Sequence, residues 1–144
     1  MKQISRSAII GRSAQTLYAL VEDIESYPEF LPWCAGARVR ERTPQRTVAT
    51  LSVGVKGVRH SFTTENSNTP CRSIDMRLLE GPFKRFAATW RFTPLEPRAA
   101  KIEFSLEYEF ANRVVARALE PLFKRIADSM VEAFARRARE RSDG

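Results

Sequence analysis

With 144 residues, 43% hydrophobic and 28% charged, the chain is sized and composed for one globular domain, which excludes a disordered or fibrous polymer. No apolar run approaches the ~18–20 residues that span a bilayer, and residues 1–11 alternate polar and apolar where a signal peptide would be continuously apolar. A formal net charge of +7 favours encounters with RNA, DNA or anionic lipid, and equally serves solubility.

Residues 2–10 read as a first strand, with Ile4, Ala8 and Ile10 on one face. Ser13 has the chemistry of a helix N-cap, and Leu17, Leu20, Val21 and Ile24 follow at helical spacing. Pro28 and Pro32 confine residues 26–31 to about one helical turn, because proline disfavours helix just before itself. From Ala37 the period becomes two. Arg38, Arg40 and Arg42 fall on one side of a strand as a basic strip, with Val39 on the other. Residues 43–46 form a turn with Pro44 placed early.

Ala49, Leu51 and Val53 then alternate with Thr50, Ser52 and Gly54, and Lys56-Gly57 suits a hairpin turn. Val58, His60, Phe62 and Thr64 continue the alternation, and residues 66–70 read as a polar loop. Ile74, Met76 and Leu78 share a face before the Gly81-Pro82 break. Phe86, Ala88, Trp90 and Phe92 share another, before a turn at residues 94–97. Ile102, Phe104, Leu106, Tyr108 and Phe110 give the cleanest strand. After Asn112 the period is helical: Val115, Leu119, Leu122, Ile126, Met130 and Phe134, widened by Phe123 and Val131. Pro121 bends this helix or starts its main segment, and residues 136–144 read as a charged, fraying tail.

The order is strand, two short helices, six strands, long helix. This predicts an α+β fold with a seven-stranded antiparallel sheet, its apolar face covered by the terminal helix. Residues 1–144 form a single domain on this reading.

Catalytic and metal chemistry is sparse. His60 is the single histidine, so no multi-histidine metal site can form, and Cys34 and Cys71 lack zinc spacing. No nucleophile elbow, phosphate loop or dinucleotide fingerprint occurs. The expectation is no catalytic residue, no metal, no required cofactor and no enzyme. The cysteines read as free thiols in a reducing compartment.

Several segments together carry a resemblance. They are Gln3-Ile4-Ser5-Arg6, then Asp23-Ile24-Glu25-Ser26-Tyr27-Pro28-Glu29-Phe30-Leu31-Pro32-Trp33-Cys34, then Phe62-Thr63-Thr64-Glu65-Asn66. Glu80-Gly81-Pro82-Phe83-Lys84, Trp90-Arg91-Phe92-Thr93-Pro94-Leu95, Ile102-Glu103-Phe104 and Met130-Val131-Glu132-Ala133-Phe134 follow. Across residues 2–140 the chain resembles the coenzyme-Q-binding START-domain family, which includes bacterial ribosome-association toxins. Trp33 matches the quinone-binding members' form of the motif.

The resemblance implies a helix-grip (START-like, Bet v 1-like) fold and one of two activities. One is binding of ubiquinone or a similar isoprenoid lipid, as a carrier or chaperone for respiration. The other is association with the large ribosomal subunit, blocking subunit joining. The expected partners are thus a hydrophobic small molecule, the large ribosomal subunit, and an anionic membrane met in passing. The expected location is the cytoplasm, or its periphery at the inner membrane. Nothing in the residues sets an oligomeric state.

An apolar ligand needs a cavity walled by aromatic and flexible side chains. The candidate lining is Phe62, Met76, Leu78, Phe86, Trp90, Phe104, Leu106 and Tyr108 from the strands, and Phe123, Ile126 and Met130 from the helix. Tyr27, Phe30, Leu31 and Trp33 lie in the proline-bounded segment, as a lid over the cavity mouth, a membrane contact or a core plug. From regular spacing alone these residues would be ordinary core; the resemblance adds the cavity. The Arg38, Arg40 and Arg42 strip would meet RNA or lipid phosphate, or stay solvated beside acidic neighbours.

Overall fold

Every strand pairing in the computed structural model, which describes residues 2–55 and 58–141, is antiparallel. The strands are β1 (Lys2–Ile10), β2 (Cys34–Arg42), β3 (Arg46–Val55), β4 (Val58–Thr69), β5 (Ser73–Glu80), β6 (Phe83–Glu96) and β7 (Ala99–Phe110). They form one sheet in the order β1-β7-β6-β5-β4-β3-β2, a meander whose last strand returns to the first. Helix α1 (Ala14–Glu22) and a 3-10 helix (Ile24–Glu29) connect β1 to β2, and α2 (Arg113–Arg139) closes the chain.

Local chemistry sets the helix starts. Ser13 Oγ accepts from the Thr16 backbone N–H and Asn112 Oδ1 from that of Val115, as N-caps of their helices. Helix α2 lies on the apolar face of the sheet. Phe123 packs among Phe62, Phe83, Tyr108 and Phe110, and Phe134 meets the Trp90 ring edge-on at 5.2 Å. Pro121 sits inside α2 on its exposed side, and the helix runs through it.

Four expectations are corrected. Residues 66–69 are strand, not loop: β4 continues to Thr69, and Asn66 and Asn68 are buried on its inner side. Polar side chains hid a strand whose alternation is intact. Likewise β6 runs through Pro94 to Glu96 with a register irregularity there, and the turn falls at Pro97 and Arg98. The basic strip is broken. A register shift between Val39 and Glu41 leaves Arg38 opposite Thr50 but Arg42 opposite Thr47, so Arg42 turns to the other face. The tail does not fray at residue 136. Ala138 is fully buried, and the Arg12 guanidinium donates to the carbonyls of Arg139 and Arg141 at the end of α2. The Lys56-Gly57 turn lies outside the described residues.

Candidate functional site

Alternation along the middle strands aims Leu51, Phe62, Met76, Phe86, Ala88, Trp90, Phe104 and Leu106 at α2. Helical spacing brings Phe123, Ile126, Met130 and Phe134 to face them, and Tyr27 and Trp33 close the side beneath the 3-10 helix. Between them lies an apolar cavity of ≈ 50 Å³. It adjoins a second cavity of ≈ 20 Å³, with Tyr27, Leu51, Met76 and Trp90 forming walls of both.

The smaller cavity has a different chemistry. Glu22, Thr47, Thr64, Asn66 and Asn68 line it together with apolar groups. Thr64 Oγ1 donates to Asn66 Oδ1 at 2.8 Å. Asn68 Nδ2 donates to Thr47 Oγ1 at 3.1 Å, and Thr47 Oγ1 donates to Glu22 Oε1 at 3.4 Å. Arg42, redirected by the bulge in β2, reaches Glu22 at 3.0 Å and grips both Glu25 oxygens at 2.8 Å. The hydrogen bonds from Arg42 hold the Glu25 carboxyl below the usual carboxylate range. Burial pushes the Tyr27 phenol up, and its hydroxyl donates to the Val21 carbonyl. Among the described residues three buried atoms have no partner: the donors Trp33 Nε1 and Arg137 Nε, and the acceptor Asn68 Oδ1.

Of the residues expected at the cavity, Trp33, Phe62, Met76, Phe86, Trp90, Phe104, Leu106, Phe123, Ile126 and Met130 surround the larger one. Phe30, Leu78 and Tyr108 do not. Phe30 packs on the far side of Phe134, with centroids 5.1 Å apart and the Arg137 guanidinium over its ring. Leu78 lies at the β5–β6 hairpin, where a Cβ on Gly81 would stand 3.1 Å from it and 2.8 Å from Phe62 Cβ. Only glycine fits there. Tyr108 is stacked into the aromatic cluster with Phe83, Phe110 and Phe123. Arg38 and Arg40 are exposed on β2, away from the cavity lining.

Asn66 and Asn68 were missed because they looked like loop, and Thr64, though in step with Phe62, carried no sign of a cavity beside it. The signal was present: Thr64, Asn66 and Asn68 stay in step with Phe62. Among the described residues no group of three or more metal-ligating side chains occurs. Cys34 is buried, and burial pushes its thiol up, away from thiolate reactivity. Wider grooves exist, including one of ≈ 570 Å³ between Cys71 and Phe92, but it is open to solvent.

A sheet gripping one long helix around an interior cavity defines the helix-grip, START-like class. The chain belongs to the polyketide cyclase/dehydrase and lipid transport family, whose profile matches residues 10–135. It is 46% identical over 140 residues to the ribosome association toxin RatA of Escherichia coli (strain K12), covering 97% of this chain and 89% of that protein. It is 27% identical over 140 residues to the mitochondrial coenzyme Q-binding protein COQ10 homolog B of Xenopus laevis, covering 94% of this chain and 57% of that protein. Its fold matches Zhui aromatase/cyclase from Streptomyces sp. R1128 with a TM-score of 0.84 over 99% of this chain and 98% of that one. At 19% identity this last likeness concerns the fold alone. Among the described residues no helix is long and apolar enough to cross a membrane.

Proposed function

We propose that the chain binds a hydrophobic ligand with a polar head group, ubiquinone or a related isoprenoid lipid, and acts as its carrier or chaperone in respiration. One observation carries this reading: an apolar cavity shares four wall residues with a smaller one that is lined in part by Glu22, Thr47, Thr64, Asn66 and Asn68, so a molecule spanning both would place its tail and its head in matched surroundings. The lining residues are those of the larger cavity, with Glu22, Thr47, Asn66 and Asn68 at the head. At ≈ 50 and ≈ 20 Å³ the cavities must widen to admit a ring, and Met76 and Met130 are the flexible walls that would move. The role on this reading is binding, in keeping with relatives named as a toxin and as a coenzyme Q-binding protein. The protein would work in the cytoplasm and touch the anionic inner membrane to load, helped by its net charge of +7. Mass spectrometry of an organic extract of the purified protein tests this. A stoichiometric isoprenoid lipid supports it, and a ligand-free extract from a lipid-replete cell opposes it.

A second reading has its own support. The 46% identity to a protein named as a ribosome association toxin extends over nearly the whole chain. On that reading the basic surface meets the large ribosomal subunit. The protein should then co-sediment with large subunits, lower the yield of joined ribosomes, and release steeply as salt rises. Normal subunit joining with excess protein at low salt removes this reading.

A further inference from the structure

Asn68 is 7% exposed, it lines the polar cavity, and its Oδ1 has no hydrogen-bond partner. The hydrogen-bond chain sets which amide atom is left over. The Glu22 carboxylate, ion-paired with Arg42, can only accept, so the Thr47 hydroxyl donates to it. The Thr47 lone pair then takes Asn68 Nδ2, and the amide oxygen remains. A buried acceptor without a donor carries a desolvation penalty that a matching ligand group would relieve. The ≈ 20 Å³ beside it suits one hydroxyl-sized group, since a water needs about 10–15 Å³ by this measure.

A quinone head offers only acceptor oxygens and leaves Asn68 unpaired, whereas a hydroquinone head carries O–H donors and can serve it. We infer that the interior discriminates between the two redox forms of a head group, holding the hydroxyl-bearing, reduced form more tightly, with Asn68 as the specificity-determining residue. This rests on the lipid-binding reading above. The discrimination is a binding preference and needs no electron transfer by the protein. A tenfold preference would raise the midpoint potential of the bound two-electron couple by about 30 mV.

The test uses three decyl-tailed dimethoxy-methyl ring probes: the quinone, its hydroquinone and the hydroquinone's dimethyl ether, which keeps the ring oxygens but has no O–H. Equilibrium dialysis against the whole protein under argon should give roughly tenfold tighter binding of the hydroquinone than of either other probe. In Asn68→Leu the ratio should fall to about one through lost hydroquinone affinity. The wild-type ratios stand alone if that variant does not fold. Equal binding of all three probes to the wild type would mean that Asn68 is already satisfied, as by a buried water. That result overturns the discrimination and leaves lipid binding intact. A preference that survives in Asn68→Leu overturns the role of Asn68. Binding of no probe overturns both the discrimination and the reading beneath it.

Discussion

At one end of the sheet–helix interior Phe83, Tyr108, Phe110 and Phe123 pack ring against ring, with centroids 5.1 to 6.3 Å apart. Towards the other, Thr47, Asn66, Asn68 and Glu22 face a cavity. The strand residues at both ends follow the same inward alternation on one sheet. The difference is in what fills the space: large rings pack on one another and on Phe123 of α2, whereas the polar side chains bond among themselves beside a cavity. The aromatic end therefore anchors the helix, and the polar end leaves room for chemistry. The ≈ 50 Å³ apolar cavity lies between these regimes, walled by Phe62, Phe86 and Phe123 on one side and by Tyr27 and Trp90 on the other.

The sharpest way to break this contrast is at the anchor. Phe123→Ala removes the ring shared by the whole cluster and should cost ~3–5 kcal/mol in urea unfolding. A loss below ~1 kcal/mol would show that the aromatic end is loosely filled. At the polar end, Thr47→Val keeps the shape but strands Asn68 Nδ2 and should cost ~1–3 kcal/mol. A neutral result would mean that the hydrogen-bond chain contributes nothing to the fold.

Much of this contrast was legible in the sequence, and its limits have physical causes. Six period-two segments and one helical stripe are enough to specify the meander and its covering helix, because burial of one face imposes that period on Phe62 or Leu106 alike. Nine cavity-lining residues followed from this rule and from the helical stripe, and Trp33 from the proline-bounded segment. Asn66 and Asn68 did not, because a buried asparagine and a loop asparagine look the same until β3 supplies Thr47 as a partner. Leu51 escaped the site reading because its inward direction is visible in sequence but the position of the void is not. The bulge after Val39 was equally hidden, so Arg42 passed for a surface strip residue when it braces Glu22 and Glu25.

A matched pair of substitutions sharpens the boundary between filled and open interior. Ala100→Val adds two methyl groups at a fully buried site away from the cavity lining and should cost ~1–3 kcal/mol. Ala88→Val adds the same volume beside the cavity, so stability should change by less than ~1 kcal/mol while lipid binding falls. Equal losses at both sites would erase the distinction. The smallest effect is electrostatic. Arg42 depresses the folded pKa of Glu25, so the pair stabilises the fold above the ordinary carboxyl value near 4.5, and the contribution is lost as pH falls through the depressed value. Both side chains are more than a third exposed, which limits the effect to under ~1 kcal/mol. Urea midpoints of wild type and Glu25→Gln should differ slightly at neutral pH and converge in acid. A difference that grows in acid contradicts the assignment.

If the sheet and α2 enclose a ligand site, the chain's two tryptophans should report on it, because Trp33 and Trp90 both line the cavity. Titration of the protein with a short-tailed ubiquinone, followed by tryptophan fluorescence, should give saturable quenching at one ligand per chain. Ala88→Val should weaken it without moving the urea midpoint. Fluorescence that stays constant, or falls linearly without saturation and identically in Ala88→Val, contradicts the account.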